Sequence, residues 1–219
     1  MIINHKHKFI FIHIPKCAGT SVAKALYPYC DEHDTFLGCH PDAKEEIVEE
    51  DGFRIHKHSN AEEIKKYTTP QRWEEYFVFS FVRNPIDRII SFYEWWRETP
   101  GNWDIETKEV ISKMSFKEFV FSKYTSRQQI ELLTSRGEEK EHFVQAKYRL
   151  EIDFIGKQES LNRDFAYVCG LLKLPLIELK KDNVSRKRLR DNNLYLDDEI
   201  RREIRRKYHT DFSCFRYKQ

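Results

Sequence analysis

No stretch of this sequence approaches the roughly 20 consecutive apolar residues of a bilayer-spanning helix, and none pairs a short apolar core with a small-residue cleavage pattern. Neither a transmembrane segment nor a secretory leader is read, and a cytoplasmic protein is expected. Cysteine is scarce: Cys17, Cys30, Cys39, Cys169 and Cys214 are an odd set with no CxxC pair and no metal-ligand spacing. A disulfide framework and a zinc site are therefore not indicated, reduced thiols are the default, and no metal is expected. An excess of one charge is absent too. The 38 Lys and Arg against 36 Asp and Glu leave a formal charge of +2, too little for the global field of a nucleic-acid binder. Any anion site must be local. The 7 glycines and 7 prolines are scattered as punctuation, with no Gly/Ser-rich or Pro-rich linker, internal repeat or low-complexity tract. One domain over residues 1–219 is the simplest organisation.

What the chain does hold is 40% hydrophobic, 14% aromatic and 34% charged residues with a mean hydropathy of -0.73, the balance of a soluble globular domain. Two short runs, residues 9–14 and 76–82, are β-branched or aromatic on both faces, as a buried parallel strand requires. Pro15 ends the first, and residues 20–27 follow as a helix. After the second, Asn84, Pro85 and Asp87 supply an N-cap, a proline at the first helical position and an acid at the third. Asn60 with Glu63, and Ser115 with Glu118, are spaced as capping boxes. Residues 153–156 read as a third buried strand, 161–172 as a helix, and Asp197 caps a charged helix through Lys207, whose interleaved acids suggest pairing within the helix. Alternating elements of this kind predict an α/β fold, a central parallel sheet with helices on both faces.

Between the first strand and its helix lies Pro15-Lys16-Cys17-Ala18-Gly19-Thr20-Ser21, where free backbone N–H groups and the helix dipole attract an anion. The GxxxxGK[ST] frame is missing and the lysine precedes the glycine, so this is not a Walker A loop. A plain strand-to-helix connection fits it equally well. Arg83 lies at the end of the second strand and Ser91 in the second turn of the next helix. In a parallel sheet both loops open at the same edge, where ligands bind, and a guanidinium with a hydroxyl can hold a second phosphate. The alternative is a capped helix with a surface arginine.

Together, PKCAGTS after a hydrophobic strand and FSFVRNPIDRIISFY downstream resemble the 5′- and 3′-phosphate-binding motifs of PAPS-dependent sulfotransferases. The likeness is closest to the carbohydrate sulfotransferase branch, with its heparan sulfate 2-O-sulfotransferases and compact bacterial relatives. It extends to residues 58–64, 153–161 and 195–217, nearly the whole chain. It implies a P-loop-like nucleotide-binding core that takes 3′-phosphoadenylyl sulfate (PAPS) as donor and releases adenosine 3′,5′-bisphosphate (PAP), without a metal. The implied phosphosulfate site is Lys16, Cys17, Ala18, Gly19, Thr20 and Ser21; the implied 3′-phosphate site is Arg83 and Ser91. Cys17 stands where many relatives carry Thr, but the main chain is expected to do the binding. The basic stretch 180–188, with Ser185 and Arg186, resembles the loop that closes over the nucleotide; a solvated charge run is its other reading.

Sulfuryl transfer, like phosphoryl transfer, is mostly positioning of an in-line attack and neutralisation of the leaving oxygen. Lys16 is the expected cation. The acceptor hydroxyl must lose a proton, for which a histidine near its usual pKa of ~6.5 is apt, and the resembling branch uses one. In an extended segment His56 and His58 would share a face, with Lys57 turned away. His58 is the expected base because it precedes the matched helix start, with His56 as its partner. His5, His7 and His33 read as solvated, and His13 as a hydrogen-bonded core residue. Tyr93, Trp95, Trp96 and Trp103 divide between core packing and a flat platform for sugar. The expected acceptor is hydroxylated, a glycan or glycolipid, its identity carried by the poorly matched segments 29–53 and 96–143. Two other readings are a P-loop-like kinase or nucleotide hydrolase, which needs Mg2+ and a strand-end acidic ligand, and a nucleotide-binding module without turnover.

Overall fold

The structure, a computed structural model, describes residues 1–38, 47–50, 52–98, 104–136, 148–179 and 195–218. Cys39, Trp103 and the basic stretch 180–188 with Ser185 and Arg186 lie outside the described residues. Along the chain come β1 (Ile2–Asn4), β2 (Phe9–Ile12), α1 (Gly19–Leu26), β3 (Thr35–Phe36), β4 (Ile47–Glu50), β5 (Phe53–His56), α2 (Ala61–Tyr67), α3 (Pro70–Glu75) and β6 (Phe77–Val82). They continue as α4 (Pro85–Glu98), α5 (Ile105–Lys113), α6 (Phe116–Phe121), α7 (Ile130–Leu133), β7 (Thr134–Arg136), β8 (Tyr148–Leu150), β9 (Phe154–Lys157), α8 (Leu161–Leu171), α9 (Asp198–Lys207) and α10 (His209–Cys214). No described helix is long and apolar enough to cross a membrane. The chain divides into two compact units, residues 1–82 with 129–182, and residues 83–128 with 183–219.

The first unit carries a sheet of order β3-β1-β2-β6-β9. Its centre is parallel as expected, with Phe11 beside Phe79 and Phe79 beside Phe154. Two antiparallel strands, β1 and β3, extend one edge. They are too short to show a period in the sequence. Alternation sends Phe9, Phe11, Phe79 and Phe81 to one face, where they pack with Val22 and Leu26 of α1 and Phe165 and Val168 of α8. Ile10, Ile12, Val78 and Val82 on the other face are buried as well. Each of these side chains contributes about 1.5–3 kcal/mol on burial, so covering both faces is what the continuous apolar runs favour.

A second, two-stranded sheet matters for the site. Glu50 pairs with Phe53, so β4 and β5 are joined by two residues, and Gly52 takes φ 79, the left-handed turn backbone that Asp-Gly hairpins use. The hairpin delivers the chain to His56. Next, α2 opens on the anticipated capping box: Glu63 N donates to Asn60 Oδ1 at 2.9 Å and Asn60 N to Glu63 Oε2 at 3.0 Å.

The second unit is helical. Its core joins Ile89, Tyr93 and Trp96 of α4 to Phe116 and Phe119 of α6 and to Ile200, Ile204 and Phe212 near the C-terminus. Ile86 N donates to Asn84 Oδ1 at 2.9 Å at the start of α4, Ser115 and Glu118 form their capping box, and Asp197 caps α9. Arg206 pairs with Glu203 at 2.8 and 2.7 Å, the pairing within the helix that its acids suggest. Of the aromatic group, Tyr93 and Trp96 are buried and Trp95 is partly so; these rings pack a core.

Candidate functional site

From Ile12 at the end of β2, the chain passes twice through the left-handed region, at Lys16 (φ 66) and Ala18 (φ 64), before α1 begins at Gly19. Non-glycine residues hold such backbone at a cost of order 1–3 kcal/mol each, and left-handed turns of this kind aim successive N–H groups into one anion-binding concavity. Ala18, the N-cap of α1, offers its helix no side-chain hydrogen bond. Helix polarity and loop geometry therefore favour an anion at the same place. Cys17 faces inward, 1% exposed, and its Sγ donates to Gln129 Oε1 at 3.1 Å. A threonine hydroxyl can make that bond too, which explains physically why cysteine serves here: the side chain anchors the loop.

The expectation that His56 and His58 share a strand face is overturned. β5 ends at His56, and Ser59 N donates to His56 O at 2.9 Å, closing a turn in which the alternation of an extended strand no longer holds. His56 is exposed, and its Nδ1 accepts from His58 N at 3.1 Å. The His58 ring turns inward, and its Nδ1 lies 2.9 Å from His13 O. A carbonyl can only accept, so Nδ1 carries the proton and the neutral ring keeps its lone pair on Nε2. The His58 and His13 rings meet edge to face, centroids 4.8 Å apart at 75°.

Burial pushes the His58 pKa down to about 3, partly offset by the bond to His13 O and reinforced by Lys57. His13 is held well below 6.5, first by burial and then by positive charge that includes Lys57 and Lys16. Both imidazoles are neutral near pH 7, with two ammonium groups at hand to attract an anion. A stability prediction follows from linkage. The unfolded chain protonates both histidines below about 6.5 while the folded chain does not, so stability is full above that pH and declines below it. The decline reaches at most about 1.4 kcal/mol per pH unit per histidine. The melting temperature should fall from pH ~6.5 to ~4, and His58→Gln should flatten that slope. An equal slope in the variant would show that His58 is not held neutral.

In the second unit, Arg83 follows β6 directly and is 8% exposed, which removes the surface-arginine alternative, and Ser91 is half-buried on α4. Sequence reasoning missed two buried polar residues, Arg88 and Gln129, and the support that His13, expected as a hydrogen-bonded core residue and buried as such, gives to His58. Arg88 donates from Nη1 to Arg127 O at 2.8 Å, and Gln129 anchors Cys17. No pattern marks these contacts, since each partner is remote in sequence. A cavity of about 480 Å3, lined by residues including His5, Thr35, Phe53 and Arg72, belongs to neither loop. It sits where β1 ends, beside the start of β2, whereas the left-handed loop leaves the end of β2.

A parallel-centred sheet with a left-handed, anion-directed loop between strand and helix defines an α/β protein of the phosphate-loop class. The model of the Sulfotransferase family matches residues 1–218. An uncharacterized protein of Archaeoglobus fulgidus is 26% identical over 113 residues, 51% of this chain and 80% of its own length. No solved structure matches the chain. The chain belongs to the sulfotransferase family, and it is a PAPS-dependent enzyme of that family.

Proposed function

We propose that this enzyme moves the sulfuryl group of PAPS to a hydroxyl of a carbohydrate, a glycan or glycolipid, with His58 as general base and Lys16 as the cation at the leaving oxygen. The observation that carries this reading is the bond from His58 Nδ1 to His13 O, which leaves the ring's lone pair on Nε2 in the unit that also holds the left-handed loop. The acceptor oxygen attacks sulfur, the bond from sulfur to the phosphate oxygen breaks with its electron pair, and the acceptor proton passes to Nε2. Main-chain N–H groups of Lys16, Cys17, Ala18, Gly19, Thr20 and Ser21 receive the phosphosulfate in this reading. Arg83 and Ser91 receive the 3′-phosphate, and Ser185 and Arg186 close over the nucleotide. His56 orients: its Nδ1 already accepts from His58 N. The family match over residues 1–218 supports one catalytic domain.

Incubation with sulfur-labelled PAPS and a panel of glycans and glycolipids tests the proposal. Label on a carbohydrate, with PAP released, is expected; label only on non-carbohydrate hydroxyls would remove the acceptor assignment. Arg83→Ala should weaken PAP by about 1.5–3 kcal/mol, the scale of a hydrogen bond to a charged group. Adenosine 5′-monophosphate, which lacks the 3′-phosphate, should be affected little. Unchanged PAP affinity in calorimetry would take Arg83 out of the site.

A further inference from the structure

We infer that His13 is a positioning residue of this site, a buried wedge that seats the base His58 on one side and the first residue of the helix behind the anion loop on the other. The inference rests on the reading of His58 as the base. His13 is 4% exposed and stacks on Phe11, ring centroids 6.0 Å apart at 23°. On one side its ring and that of His58 meet edge to face, and its own carbonyl accepts from His58 Nδ1. On the other, a Cβ built on Gly19 would lie 2.0 Å from His13 Cδ2 and 2.3 Å from Nε2. The imidazole thus occupies the space that any side chain at position 19 would fill, and only glycine lets α1 begin there. One residue therefore sets the tautomer of the base through its carbonyl, sets the plane of the base through its ring, and abuts the loop that is to hold the donor. Misplacing reacting groups by about 1 Å can cost 10²-fold in rate, so a wedge touching both partners has catalytic consequences without touching substrate. The charged and titratable groups bearing on the pair are Lys16, Lys57, His56 and the α-amino group of Met1.

The test uses His13→Leu, which keeps the carbonyl and an apolar filling, and His13→Ala, which opens the space to water. Both should lower kcat by about 10–100-fold at pH ~8 while the KM for PAPS changes by less than about 3-fold. In His13→Ala the His58 imidazole, followed by NMR titration, should rise toward ~6.5 as water reaches it, and kcat/KM should gain an acid limb at that pH. Gly19→Ala displaces the wedge from its other side and should move the same His58 resonance. A purely structural role would lower the melting temperature in these variants and leave the His58 titration and the pH profile where they are; that result would overturn the inference. Should His13→Ala not fold, Gly19→Ala carries the His58 readout and His13→Leu the loss of kcat at a nearly constant KM. The two readings fail separately. Normal turnover in His58→Ala would overturn His58 as base, whereas an unmoved His58 resonance in the His13 and Gly19 variants would overturn the wedge.

Discussion

Replacing His58 with alanine is expected to lower kcat by roughly 10²–10⁴-fold and to leave PAP binding intact, because proton removal is lost while the groups assigned to the nucleotide stay. His56→Ala should do less, since that ring braces the turn through Nδ1. The environment of His58 also alters the pH dependence that an ordinary histidine would give. Protonated imidazole has no lone pair, so activity must fall as pH drops through the pKa of the base. That pKa is pushed down to about 3 by burial, and the fall should not occur near 6.5. From pH ~8 to ~5 the contribution of His58 to kcat/KM should be level. A base this weak takes the proton only as bonding to sulfur makes the attacking hydroxyl more acidic, so its placement matters more than its basicity. Near-normal turnover in His58→Ala, with loss in His56→Ala, would reverse the two roles; activity in both would move the base elsewhere.

Lys16→Ala should lower kcat by about 10²–10³-fold, the scale of removing one electrostatic partner of a developing charge, and weaken PAP binding far less. Negative charge on the leaving oxygen grows toward the transition state, and only interactions that strengthen along that path accelerate the chemical step. The backbone at this position is left-handed, φ 66, and alanine keeps a Cβ there as lysine does. The comparison therefore isolates the ammonium group from the turn. A rise in KM with unchanged kcat would make Lys16 a binding residue only.

Much of the fold was legible in local patterns. The runs containing β2 and β6 are apolar on both faces and buried, whereas β9, expected as a third buried strand, lies half-buried at the sheet edge because it has a neighbour on one side only. The capping residues Asn60, Ser115 and Asp197 sit where their helices begin. The β4–β5 hairpin had a signal in Asp51-Gly52 that a search for apolar runs passes over, because β5 shows only Ile55 buried. β1 and β3 had none; strands this short are defined by the neighbour they pair with.

For the site, the sequence by itself determined the chemistry available: a strand-to-helix loop of small residues after a lysine, an arginine and a serine after the second strand, and two histidines two residues apart. Those are covalent neighbours, and their spacing is visible in the chain. Tertiary structure alone decided which way the rings face. The turn closed by Ser59 sends His58 inward, where the carbonyl of His13, 45 residues away, selects its tautomer, and Gln129, 112 residues away, holds Cys17. Tautomer, burial and pKa depend on what surrounds a group in space, and that surrounding exists only once distant segments have packed together.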